Sequence, residues 1–296
     1  MAERSGWGEM RLSKEKKSGI LGLALVFPSF LLLLGVVIIP IIYSIQESLQ
    51  NEQGGYDLSH YVALFTDEVM RSNIWYTLKV TIVSTILVLA ISYGVALLLR
   101  FSNGAAAIWI RRLYLIPMFV PGVIATYAII SMYGNHGWLA RVCALLGMES
   151  FPMIIFDFKG LILANLWFNI PFSTMLLASA LGGIPNSIIE SAKDTGAGKW
   201  QLFFRFIVPL SYKTLLVAAT FVFMGVIGSF TAPYLIGPNS PQVLGVAMHQ
   251  VFSVYQETAQ ASALAVFMFL LCSAMGYFYI RTMAKDAKAE AGRTGQ

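Results

Sequence analysis

Charge is scarce in this sequence. Only 12% of its 296 residues are Asp, Glu, Lys or Arg, against 57% hydrophobic. A soluble core of this length does not require uninterrupted apolar runs of about 20 residues, and several occur here. The interiors of those runs hold no Asp or Glu and no central Lys or Arg. Proton-coupled transporters keep ionisable groups inside their spans, and charge-selective pores keep rings of them, so both classes are disfavoured. Cysteine and histidine are scarce too. Cys143 and Cys272 lie far apart, the second in an apolar run, and His60, His136 and His249 are isolated. This spacing supports neither a disulfide framework nor a metal site. With no clustered His/Asp/Glu or Ser/His/Asp set, a membrane-embedded enzyme is disfavoured as well.

A phosphate-binding loop is also lacking. The run Thr195–Lys199 ends in Gly-Lys, but that motif needs Gly five residues before its last Gly and Ser or Thr after the Lys. Lys193 and Trp200 stand at those places. Any ATP hydrolysis is therefore expected of a separate subunit.

What the sequence does have is six apolar spans, expected at about 20–44, 74–99, 113–133, 161–181, 215–236 and 259–280. The fold class is an all-α membrane protein with six transmembrane helices. The first run is too long for a signal-peptide core, and no small-residue cleavage site follows it. Pro28 and Pro40 are expected to bend the first span, and Pro117 and Pro121 lie in the third. A short surface helix is expected at 137–146. Polar tails at 1–19 and 281–296 flank one membrane domain, 20–280.

Basic residues fix the expected orientation. Sixteen Lys and Arg fall on the face that carries both tails and the 186–210 loop; Arg71, Lys79, Arg141 and Lys159 fall on the other. Basic flanks stay cytoplasmic, so both termini and that loop are expected in the cytoplasm. The net charge of +5 thus reads as charge at a bilayer face rather than as affinity for nucleic acid.

The most distinctive stretch is Glu190–Leu210, polar and Gly-broken between two apolar runs. Ser187 and Glu190 have capping-box spacing, which predicts a helix starting near Ser187. In that reading Glu190 reaches back to the Ser187 amide; in the other it is an acidic contact for a partner. Gly196 and Gly198 can stop the helix. Trp200, Phe203, Phe204 and Ile207 then share one face of a second helix, expected to pack on the membrane spans, and Pro209 is expected to limit it. Two short helices meeting at a small-residue corner suit a rigid knob inserted into a partner.

This stretch resembles the EAA loop of permease subunits in binding-protein-dependent ABC importers. The match runs through Glu190, Ala192, Gly196, Ala197, Trp200, Gln201, Phe203, Ile207, Pro209 and Leu210, with departures at Ser191 and Thr195. The resemblance implies a type I importer permease fold in a bacterial cytoplasmic (inner) membrane. It implies a second permease subunit, which is a copy or a different chain, together with cytoplasmic ABC ATPases and an extracytoplasmic solute-binding protein. The ATPase-coupling residues would be Glu190, Ala192, Thr195, Gly196, Ala197, Gly198 and Lys199. A secondary transporter or channel subunit is the alternative.

The solute is less sharply indicated. The segments 169–181 and 232–251 are similar to polyamine-type permeases; the first span and Ala261–Ala265 are similar to sugar-type ones. Neutral polar groups are what the spans offer a solute. Asn165 and Asn169 lie one turn apart beside Pro171, and Thr126 and Ser131 of the third span could face them. Phe172 and Tyr127 supply aromatic faces for a cation. For the hydroxyl residues helix–helix hydrogen bonding is the competing reading, and for the two asparagines the choice stays open.

Overall fold

The computed structural model describes residue 22 and residues 24–51, 54–147 and 154–294, with side chains described to residue 284. The expected tail 1–19 lies outside them. Among the described residues the regular secondary structure is helical apart from one isolated antiparallel bridge, Gln50 to Tyr56. We number the helices α1 Ala24–Ser48, α2 Ser59–Thr66, α3 Glu68–Phe101, α4 Ala105–Leu113, α5 Gly122–Tyr133 and α6 Trp138–Leu145. Next come α7 Phe158–Gly182, α8 Asn186–Asp194, α9 Lys199–Ile227, α10 Thr231–Ile236, α11 Leu244–Ser253 and α12 Thr258–Thr294. Five of these (α1, α3, α7, α9 and α12) are long and apolar enough to cross a membrane.

The third span differs from expectation. Instead of one helix over 113–133, α4 and a 3-10 turn, Ile116–Phe119, meet α5 and α6 at a bend of 111°. The two prolines explain the break. Pro117 opens the 3-10 turn and Pro121 takes an extended conformation as the N-cap of α5, because each lacks an amide hydrogen and crowds the preceding turn. Counting that bent pair as one span gives six crossings.

Proline has the opposite outcome in α1 and α9, where the helix runs on. A π-turn at Leu34–Ile38 ends two residues before Pro40, and another at Phe203–Ile207 ends two residues before Pro209. Widening the turn by one residue re-routes the carbonyl a proline would strike. Pro209 therefore does not limit the helix, and the fifth span is α9, Lys199–Ile227, rather than 215–236. It ends at Gly228, and the remainder of the expected span forms the separate short helix α10.

The central element is α3, about 50 Å long at 1.5 Å per residue. Asp67 caps its start, accepting from the Met70 amide at 2.8 Å, and Arg100 lies in its last turn. Both charges suit the helix dipole. Its buried stripe includes Asn73, Thr77, Thr81, Ser84, Ser92 and Ala96, while Ile82, Ile86 and Ile91 point outward. Such a reversal of the soluble pattern is expected where the solvent is lipid. Small and hydroxylated residues let helices approach, and apolar ones face the tails.

Three buried clusters follow α3. At the end bearing Asp67, Leu64, Ile74, Leu244, Val251, Ala261 and Leu264 join α2, α3, α11 and α12. The middle cluster includes Val80, Val88, Ile129, Leu161, Ala164, Val222 and Ile236. At the Arg100 end, Tyr93, Ala96, Leu177, Leu181, Ile184, Ile189, Ala192, Leu202 and Ile207 pack together. Close approach is forced at Gly160 of α7, where a Cβ would lie 2.7 Å from the Ile154 carbonyl oxygen. In the α1–α2 connection, the Asp57 carboxyl is drawn down to about 2 by the Ser59 hydroxyl, the Asn51 amide and the Ser59 backbone N–H.

Candidate functional site: the α8–α9 corner

The corner between α8 and α9 is closed by backbone bonds. The Gly196 amide donates to the Lys193 carbonyl at 2.8 Å, and the Ala197 amide to the Ala192 carbonyl at 3.0 Å. Gly196 has φ +81°. Together these make a Schellman motif, which needs a left-handed residue at that place. The Thr195 hydroxyl adds a bond to the Ala192 carbonyl at 2.9 Å. On the far side Gln201 accepts from the Gly198 amide at 3.2 Å, half of a capping box for α9. The corner is thus a fixed shape rather than a loose loop.

The start of α8 corrects the expected cap. Asn186 is the first helical residue and extended Pro185 is the N-cap, with no side-chain bond. Ser187 is already inside the helix, so Glu190 is not its capping partner. Proline's fixed φ presets the entry, and the N-cap falls at Pro185, two residues before Ser187. Glu190 stands exposed with Ser191, Lys193 and Asp194, while Ile189 and Ala192 point into the cluster beneath. A cavity of about 410 Å³ opens beside α8, lined by Ser187, Ile188, Ser191, Ala192, Thr195 and Phe206.

The aromatic face also divides. Phe203 and Ile207 are buried or half-buried in the cluster beneath α8, with Phe203 edge-on to Tyr93 at 5.7 Å. Trp200 and Phe204 instead stack on each other at 5.9 Å and are 75% and 60% exposed. The π-turn beginning at Phe203 breaks the 3.6-residue register on which a single face depends.

Two fastenings escaped sequence reading. Arg100, counted there only as a basic flank, donates from Nε to the Leu181 carbonyl and from Nη2 to the Ile184 carbonyl, each at 3.1 Å, and from Nη2 to Asn186 Oδ1. Tyr93 and Ser211 share a hydroxyl–hydroxyl bond at 2.6 Å. Carbonyl acceptors leave no mark in a sequence. The seven-residue spacing of Tyr93 and Arg100, which puts both on one helix face, was the available signal.

The proposed solute residues are only partly brought together. Asn165, 5% exposed, donates to Ser84 Oγ at 2.9 Å and so joins α7 to α3. Asn169, half-buried, donates to the Asn165 carbonyl at 2.9 Å. Its Oδ1 lies 3.7 Å from where a Cβ would stand on Gly225 of α9. Phe172 meets Phe221 edge-on at 5.6 Å, so Asn169 and Phe172 together face α9. Thr126 is buried and donates to the Gly122 carbonyl at 2.8 Å rather than to either asparagine. Tyr127 is 55% exposed on α5. Ser131 borders a cavity of about 650 Å³ with His136, Trp138, Arg141 and Phe156.

A set of long apolar helices interrupted by a locked polar corner is the architecture of a multi-span helical membrane protein. The chain belongs to the family of binding-protein-dependent transport system inner membrane components, which it matches over residues 86–287. That makes it a multi-pass inner-membrane protein. It is 31% identical to the thiamine transport system permease protein ThiP of Escherichia coli K12, over 72% of this chain and 40% of that one. The chain therefore spans less than half of that relative. It is 28% identical to the molybdenum transport permease ModB of Azotobacter vinelandii, over 67% of this chain and 89% of that one. The sulfoquinovosyl glycerol transport permease SmoG of Agrobacterium fabrum is 26% identical over 88% and 90%. In fold the chain is similar to a chain of a bacterial ABC transporter that imports alginate, with TM-score 0.78, 19% identity and coverage of 93% and 99%. It is also similar to a chain of the MetNI methionine ABC transporter, with TM-score 0.57, 18% identity and coverage of 73% and 95%.

Proposed function

We propose that the chain is one of two permease subunits of an ATP-driven importer, and that α8 with its corner is the surface on which a cytoplasmic ATPase docks. The observation that carries this reading is the locked corner. Glu190, Ser191 and Thr195 are presented on a helix whose end is closed by the Schellman motif and whose underside is buried. A rigid link between two bistable bodies transmits displacement, whereas a loose one absorbs it. Glu190, Thr195, Gly196, Gly198 and Lys199 are exposed at that surface, Ala192 sits beneath it, and Ala197 is half-buried at its edge. In this arrangement both chain ends and the corner are cytoplasmic, as the basic bias requires. A solute-binding protein delivers from the opposite face, and this subunit hydrolyses no ATP itself.

The solute we infer is small, hydrophilic and sugar-like. Among the described residues, the patch where Asn169 and Phe172 meet Phe221 is neutral, with an amide and aromatic faces but no carboxylate to replace the water around a polyamine. Likeness to the SmoG permease along most of both chains supports the same class. The test is reconstitution of the complete complex in liposomes, with receptor and labelled sugar on one side and ATP on the other. Uptake should require ATP and receptor together. Uptake driven by an ion gradient without ATP would overturn the reading, and selective uptake of a polyamine would overturn the solute class.

A further inference from the structure

We propose that α3 is the transmission helix, clasping both arms of the coupling corner through Arg100 and Tyr93, and that Arg100 is the positioning residue that makes α8 and α3 move as one. The inference rests on the importer reading and specifies how the corner's motion enters the membrane.

Tyr93, Ala96 and Arg100 lie at i, i+3 and i+7, one stripe along the last turns of α3. Ala96 is wholly buried, which lets the neighbouring helices come close. At the lower end of the stripe, the Arg100 guanidinium binds three consecutive pieces of the entry arm. It takes the carbonyl of Leu181 in the last turn of α7, the carbonyl of Ile184 in the connection and the side chain of Asn186 at the first position of α8. Carbonyls at a helix end and in the turn beyond it keep acceptor capacity, and a planar fork with several N–H groups can serve one of each and a side chain at once. Two turns higher, Tyr93 holds the exit arm. Its hydroxyl bonds Ser211 of α9, its ring meets Phe203 edge-on, and Ser211 in turn donates to the Ile207 carbonyl at 2.8 Å.

Both arms of the corner are thereby fastened to one helix whose other end carries the outer structure. Near that end Asn73 Oδ1 accepts from the Gln242 amide at 2.8 Å and Thr77 Oγ1 from the Leu244 amide at 2.9 Å, tying the start of α11. Displacement of α8 enters α3 at Arg100 and Tyr93 and leaves at Asn73 and Thr77. Lysine cannot replace Arg100 in full, because a single ammonium nitrogen cannot cover acceptors reached from both Nε and Nη2.

The test uses the complete reconstituted complex and reads solute imported per ATP hydrolysed. Arg100→Ala should keep ATP hydrolysis near the wild-type rate while that ratio falls about tenfold, with Arg100→Lys between the two. Asn186→Ala, which removes only the side-chain arm of the clasp, should lower the ratio less, and its effect should vanish in the Arg100→Ala background. A merely structural role would lower assembly, hydrolysis and import together and leave the ratio unchanged, which would overturn the proposal. If Arg100→Ala does not assemble, Arg100→Lys and Asn186→Ala decide, and an unchanged ratio in both overturns it. Wild-type complex without ATP-dependent import would count against the importer reading instead, which keeps the two failures distinct.

Discussion

Gly196→Trp should cut import by roughly tenfold or more while the protein folds and assembles in the membrane at near wild-type level. Nothing lies within 4 Å of the place a Cβ would take on Gly196. A side chain there starts in open space, on the face proposed for the ATPase. The remaining intrinsic cost is the left-handed backbone, φ +81°, which for a residue with a Cβ is about 1–2 kcal/mol. Gly196→Asn separates the two effects, since Asn tolerates that conformation and is small. We expect Asn to retain most of the activity and Trp to lose tenfold or more, about the range of a coupling free energy of 1–3 kcal/mol. Equal loss in both variants would locate the effect in the backbone rather than in docking, and normal import by the Trp variant would remove the docking role.

Asn169→Leu should cut solute uptake about tenfold with assembly and basal ATP hydrolysis unchanged. The side chain's bond is to the carbonyl of Asn165 in its own helix, so no helix–helix tie is lost with it. Leucine is close in size and suits the apolar surroundings. What disappears is an amide beside the Phe172–Phe221 pair and Gly225. Asn165→Leu is the contrasting variant. It breaks the bond to Ser84 across α7 and α3, and interhelical bonds of this kind are worth about 0.6 kcal/mol and at most about 1.7. It should lower thermal stability in detergent and reduce uptake only in proportion to the complex lost. Identical behaviour of the two variants would show that Asn169 is structural as well.

These two residues also mark what a sequence can convey. Their one-turn spacing was legible, and so were the Gly196 corner and the apolar spans other than the third and fifth, because each depends on periodicity or on one residue's backbone freedom. The partners were not. Whether Asn165 meets a solute or Ser84 is decided by a residue eighty-one positions away, and the role of Arg100 depends on carbonyls that every residue type supplies. Proline misled for a related reason. The same chemistry breaks the chain at Pro117 and Pro121 yet is absorbed by a π-turn before Pro40 and Pro209. The expected face Trp200/Phe203/Phe204/Ile207 fell with that turn, since adding one residue per turn rotates everything that follows.

Docking of α8 on a separate ATPase is tested most directly by cross-linking. Ser191 is exposed on α8, beside the cavity that Thr195 and Phe206 also line. In a chain whose native Cys143 and Cys272 are replaced, Ser191→Cys should cross-link with a short reagent to the ATPase subunit of the purified, transport-competent complex. Gly196→Trp in the same chain should abolish that product. A complex that imports solute while Ser191→Cys forms no product with the ATPase would contradict the assignment of α8 as the docking helix.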